Sequence, residues 1–280
     1  MKNYTLVILF TFIHFFSFAQ DSTKSGGISV GLNFSSVPIT TISGTDTSYK
    51  NALSISPSIG LRSKSGWGIA YSPSFVTSGN RSGIYMHNIT AGYERYGGKS
   101  FDIDFHYSHY FFTNTTSVPY SPLTNEIYFS TAYTKAWIKP VLSASFGFGK
   151  DSNNVSANEI ELAGGIGHDM SWEKQGVFSQ IEVNPSVLLN AGTNGYFSFL
   201  QASQYFSHSH NFSKYVKKGG KRKGTTTNSF ELSNMEFNLE TNFEMGSFSI
   251  RPNGSVVFPI SSGTDNSMYA YGEISIQYHF

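Results

Sequence analysis

Acidic side chains recur at even spacing late in the chain. Glu236, Glu240 and Glu244 stand four residues apart, and Asn234, Asn238 and Asn242 share their parity. The opposite parity carries Met235, Phe237, Leu239, Thr241, Phe243 and Met245. Other acids fall into the same kind of alternation: Asp102 and Asp104 with His106, Glu159 with Glu161, Glu182, and Glu273. Lys139 and Arg251 are the bases placed among them. Two kinds of chemistry suit such a set. A wall of carboxylates beside open space attracts cations and polyhydroxy solutes. The same groups packed together form a hydrogen-bonded charge network that only confers rigidity. The residues alone leave both readings open.

Other reactive groups are sparse. His208 and His210 have no third ligand at a metal-site spacing, so no metal centre is expected. His87 and His109 come out as neighbours on adjacent segments, on the apolar parity, and no serine shares that parity beside them. A hydrolase would need such a nucleophile–base pair. There is no cysteine, no glycine-rich phosphate loop and no HExxH, so no cofactor is expected and the chain is not read as an enzyme.

The elements that must position these groups are strands. Side chains alternate apolar and polar with a period of two over segment after segment. Leu53, Ile55, Pro57, Ile59 and Leu61 oppose Ser54, Ser56, Ser58 and Gly60; Phe101, Ile103, Phe105 and Tyr107 oppose Asp102, Asp104, His106 and Ser108. Tyr85, Ile89, Ala91 and Tyr93 are assigned to one face, against Asn88, Thr90, Gly92 and Glu94. The final segment, Tyr269 to Phe280, puts Ile274, Ile276, Tyr278 and Phe280 on one face and Glu273, Ser275, Gln277 and His279 on the other. That aromatic-ending strand resembles the C-terminal strand of Gram-negative outer-membrane β-barrel (porin-like) proteins. The resemblance implies that Ile276, Tyr278 and Phe280 are read by the barrel-assembly machinery. It also implies an all-β fold, a closed antiparallel transmembrane β-barrel with short periplasmic turns and longer extracellular loops.

Counting the alternating segments gives about twelve strands, with connections alternately short and long. Short turns fall near Lys64, Gly97, Lys135, Lys174 and Gly246, and Trp67, Trp137 and Trp172 lie beside three of them, where an interfacial belt belongs. Pro57, Pro73, Pro140, Pro185 and Pro252 sit inside strands on the outward face. Proline cannot donate to a ladder, so these are expected at bulges.

Composition agrees. Only 13% of residues are charged while 16% are aromatic, and mean hydropathy is −0.21. Half-apolar strands reconcile few charges with modest hydropathy. A net charge of +1 excludes nucleic acid as a bulk partner. Residues 1–19 read as a signal peptide, with Lys2 before an apolar run and Ala19 at the cleavage site. A periplasmic stub at 20–26 and a barrel at 27–280 follow, with a long extracellular loop at 190–228. Within that loop Tyr196 to Phe206 roughly fits a short amphipathic helix. Tyr196, Phe199 and Tyr205 could constrict the barrel, and Lys217, Lys218, Lys221, Arg222 and Lys223 could bind a partner or the phosphates of lipopolysaccharide.

The expectation is an outer-membrane protein of a Gram-negative bacterium, embedded in outer-membrane lipid and lipopolysaccharide. Its lumen would be lined by the acids and bases named above. The leading role is a narrow passive channel for small polar solutes. The alternative is a non-transporting barrel, a receptor or structural subunit bound to other envelope proteins. An outer-membrane enzyme comes third.

Overall fold

The computed structural model describes residues 26–43, 46–77, 82–96, 100–113, 122–150, 154–193, 230–260 and 268–280, with backbone alone for 36–43, 46–51 and 269. The elements among the described residues are all strands: β1 Gly27–Ser43, β2 Asp46–Arg62, β3 Trp67–Val76, β4 Gly83–Arg95, β5 Phe101–Phe112, β6 Leu123–Tyr133 and β7 Lys139–Lys150. They continue with β8 Ser156–Gly167, β9 Met170–Gln175, β10 Phe178–Gly192, β11 Glu231–Met245, β12 Phe248–Pro259 and β13 Tyr269–His279. Neighbours pair antiparallel around one sheet, and β13 pairs with β1 to close it. β8 and β9 both pair with β10, so they are two pieces of one stave in a twelve-stave barrel. The signal segment and the loop residues Tyr196, Phe199, Tyr205, His208, His210, Lys217, Lys218, Lys221, Arg222 and Lys223 lie outside the described residues. β10 continues to Gly192, two residues past the expected start of that loop.

Alternation sorts the side chains as the period of two requires. Ser54 and Ser72 are 0% exposed and Asn88 is 1%, all facing inward. Their outward neighbours Ile59, Leu61 and Ile69 are about half exposed, as are Leu142 and Leu239. Each large apolar side chain held in water forfeits roughly 1.5–3 kcal/mol. A whole outer face of them excludes water as the surrounding medium. Trp67, Trp137 and Trp172 stand exposed at the turn end opposite the long loops. Trp67 packs on Tyr93 at 5.4 Å and Phe101 on Tyr133 at 5.3 Å, forming an aromatic belt.

The expectation that the prolines mark bulges is overturned. Bulges fall at Ser74/Phe75, Leu123/Asn125 and Asn190/Ala191. Most of the prolines instead sit where a ladder lapses. Pairing between β2 and β3 is lost between Ile55–Phe75 and Ile59–Tyr71, and Pro57 and Pro73 occupy that gap together. Hydroxyls bridge it: Ser72 Oγ donates to the Pro57 carbonyl at 2.8 Å, and Ser56 Oγ meets Ser74 Oγ at 2.8 Å. The β11–β12 ladder lapses at Pro252, whose carbonyl accepts from Thr241 Oγ1 at 3.0 Å. Pro185 faces the break between β8 and β9, where the His168 amide donates to its carbonyl at 3.0 Å. At Pro57, Pro185 and Pro252 a gap in the ladder is thus matched by another donor to the carbonyl, whereas Pro140 stays in register with Ile166.

β13 is the seam of the closed wall. Tyr278 pairs with Val30 on one side and Phe248 on the other, and the Phe280 amide donates to the Ile28 carbonyl at 2.9 Å. Its ring meets Tyr278 edge-on at 4.7 Å. Phe280→Asp is expected to reduce the amount of barrel inserted rather than to alter inserted molecules. Heat-modifiable electrophoresis of outer membranes checks this; a normal folded band from the variant would refute the role.

Candidate functional site

The interior face is polar almost throughout, and its groups fall into three regions. The first lies on β2, β4, β5 and β6 toward the turn end. Arg62 Nη2 reaches the Glu94 carboxylate at 3.6 Å and its carbonyl at 3.3 Å. Glu94 pairs in register with Asp104, and His106 Nδ1 lies 3.2 Å from Asp104 Oδ1. The His106 ring packs on Tyr128 at 4.7 Å. Gly92 makes this possible, since a Cβ there would lie 2.5 Å from the His106 Cβ. Glu94, Asp104, His106 and Tyr128 are all buried, so this region is a packed charge network.

The second region lies in the outer half, chiefly on β2 to β6. Ala52, Val76, Tyr85, Met86, Tyr110 and Leu123 form an apolar cluster inside the wall, with Phe112 and Ala157 against it. Tyr85 overturns its sequence assignment: the register shift opposite Ser74/Phe75 turns its ring inward, where its hydroxyl meets Ser54 Oγ at 3.0 Å. Below the cluster Glu126, 0% exposed, accepts from Tyr110 Oη at 2.7 Å and Ser145 Oγ at 2.6 Å. Across the barrel Leu188, Glu236 and Val257 are equally buried, and Glu236 accepts from Tyr271 Oη at 2.7 Å.

The third region is the turn-side half of β10 to β13. Here Glu182, Glu240, Glu244, Arg251 and Glu273 face inward and are half-buried. Gln180 and Asn242 donate to Glu182 at 2.9 and 3.2 Å, and Asn242 also to Glu244 at 3.1 Å. Arg251 Nε donates to Asn242 Oδ1 at 3.3 Å.

A closed wall with lipophilic outside, polar inside and an aromatic rim admits one surrounding. The chain is a β-barrel of the outer-membrane type. No protein-family model matches it, and no curated protein does. Among solved structures the barrel is similar to the NanC porin, at 9% identity over 90% of this chain and 100% of the other, with a TM-score of 0.46. It is similar to the translocator domain of the autotransporter NalP from Neisseria meningitidis, at 10% identity over 92% and 90%, TM-score 0.41. It is also similar to an outer-membrane channel from Pseudomonas putida F1, at 8% identity over 94% and 98%, TM-score 0.44. Likenesses this distant say nothing of what the barrel does.

The residues named from sequence distribute unevenly. Asp102, Asp104, His106, Glu159 and Glu236 are inward and fully buried, whereas Glu161, Glu182, Glu240, Glu244, Arg251 and Glu273 are inward and half-buried. Lys139 is held apart from them in an ion pair with Asp169, in the break between β8 and β9. Sequence reasoning passed over Arg62, Glu126 and Asp169. Glu126 was within reach, because extending the alternation of Ile127 and Phe129 back by one residue assigns it inward. Asp169 was not, since it lies where the strand pattern fails. His87 and His109 point outward on adjacent strands; Tyr71 Oη lies 2.8 Å from His87 Nδ1, and His109 Nδ1 lies 2.7 Å from Asn125 Oδ1. Among the described residues no group of three or more His, Asp or Glu is set to hold a metal.

Proposed function

We propose that the barrel is a narrow, cation-preferring passage for small polar solutes, held shut in its outer half in the state described. One observation supports this above others. Acids outnumber bases on the interior face, and on the β10–β13 side Arg251 is the one base set among four half-buried carboxylates in the described residues. Arg251 offsets only part of that negative charge, and mobile cations entering from the turn side offset the rest. The seal is Tyr85, Met86, Tyr110 and Leu123, which a shift of side chains must part before anything crosses. No catalytic role is assigned, because the outward histidines are engaged by Tyr71 and Asn125. Lipid, lipopolysaccharide and the barrel-assembly machinery are the partners this reading requires.

The burial of that outer half also favours a second reading, a non-transporting barrel that serves as a receptor or a structural subunit. Planar bilayers separate the two. The wild type is expected to give small steps whose reversal potential lies on the cation side. A Tyr85→Ala, Met86→Ala double variant should enlarge them, and Glu182→Gln with Glu240→Gln and Glu244→Gln should erase the preference. A folded double variant that stays silent would transfer the assignment to the non-transporting reading.

A further inference from the structure

One row of the third region differs from the rows around it. Reading across the wall, Asn184 on β10 stands opposite Glu240 on β11, Glu240 opposite Asn253 on β12, and Asn253 opposite Glu273 on β13. On β1, Asn33 extends the row by donating Nδ2 to Glu273 Oε1 at 2.5 Å. Amide and carboxylate therefore alternate over five adjacent strands, all on the inward parity; the four from β10 to β13 stand in register about 4.8 Å apart from strand to strand, and Asn33, whose register partner is Ser275, reaches Glu273 diagonally. In the rows to either side each carboxylate accepts from a side-chain donor. Glu182 and Glu244 accept from Gln180 and Asn242 on the turn side, and Glu236 accepts from Tyr271 toward the outside.

In this row the Asn33, Asn184 and Asn253 side-chain oxygens are all buried without a hydrogen-bond donor among the described residues. Asn33 is only 6% exposed, and its nitrogen is committed to Glu273 while its oxygen has no donor among the described residues. Buried acceptors without donors are rare in folded proteins, and each one needs a reason. Here they recur on three strands of one row, together with two carboxylates. The row sets three open amide oxygens beside two carboxylates, so a ligand that brings N–H donors and positive charge complements it.

We propose that Asn33, Asn184, Glu240, Asn253 and Glu273 form a binding row for an organic polycation, with ammonium groups seated between neighbouring amide and carboxylate oxygens. A compact metal ion fits less well, because oxygen ligands must converge within about 2.6 Å of it. The oxygens here are instead set out strand by strand along a curved wall, which matches an extended chain of amines. The assignment names the solute class of the cation passage proposed above and rests on that reading. Arg251, one row toward the turns, would then compete for Glu240 when the site is empty.

The test uses the folded full-length barrel in detergent, with spermidine as the probe and calcium ion and sucrose as comparison ligands. Calorimetry should show spermidine binding, with sucrose inert and calcium weaker. Glu240→Gln and Glu273→Gln should each weaken binding about tenfold, the loss of one charge-assisted contact. Glu244→Gln removes the same charge from a carboxylate already supplied with donors, and should cost much less. Asn253→Leu changes no charge and should still weaken binding several-fold. Equal losses at Glu240 and Glu244, with none at Asn253, would reduce the effect to the general field of the vestibule and overturn the site. Calcium binding more tightly than spermidine would overturn the ligand class. Absence of spermidine binding in a barrel that passes cation current would refute the row alone. Binding without current would leave the row standing and remove the passage.

Discussion

Phe237→Arg is expected to destabilise the folded barrel by about 2–4 kcal/mol, the cost of a basic side chain near the bilayer midplane. Phe237 lies midway along β11 on the lipid face, 43% exposed, with its ring edge-on to Phe258 at 5.6 Å. Arginine there must either bury its charge in hydrocarbon or drag water inward, and it loses the aromatic contact as well. Urea titration of refolding into lipid vesicles measures the difference directly. Phe237→Leu is the control and should cost under about 1.5 kcal/mol, as a change that keeps the side chain apolar. A neutral result for arginine would mean that the face is not lipid-exposed. From parity alone, arginine at the next residue, Asn238, looks harmless because that side faces in. The structure removes that expectation: Asn238 is 6% exposed and accepts a hydrogen bond from Ser255 Oγ, so a larger cation has no room there.

The second large effect is expected at Glu126. Its carboxylate is fully buried and accepts two hydroxyls, from Tyr110 and Ser145. Glu126→Ala leaves both hydroxyls without their acceptor and opens a void under the apolar cluster. Each stranded buried polar group costs about 1–3 kcal/mol, so a loss of roughly 2–5 kcal/mol is expected. Glu126→Gln keeps one acceptor oxygen and the volume, and should cost about 1 kcal/mol. The same refolding titration orders the three proteins. If the glutamine and alanine variants lose equal stability, the hydroxyl bonds are not what holds this part of the wall.

Alternation alone determined a great deal here. A period of two fixes which side chains share a face, and a closed wall needs no more than that to separate lipid from interior. Glu236, Glu240 and Glu244 were therefore assignable to the interior from their spacing, and Phe237 to the outside. The order of short and long connections likewise determined which end holds Trp67, Trp137 and Trp172. The loop residues named from sequence lie outside the described residues and add nothing to this comparison.

Tertiary structure decided everything that depends on register between strands or on a break in the period. The bulge at Ser74/Phe75 turned Tyr85 inward, and a one-residue slip of that kind is invisible in a linear pattern. The prolines read as bulges, yet Pro57 and Pro73 share one gap whose polar groups are satisfied by serines on neighbouring strands, a pairing that only the register creates. Which carboxylates are sealed and which stay open was equally hidden. Glu126 and Glu240 have the same side chain and the same inward parity, but Glu126 accepts from Tyr110 and Ser145 whereas Glu240 stands across the ladder from Asn184 and Asn253. Parity sets the direction of a side chain; the neighbours across the ladder set whether it finds donors, and those neighbours come from strands far away in the chain.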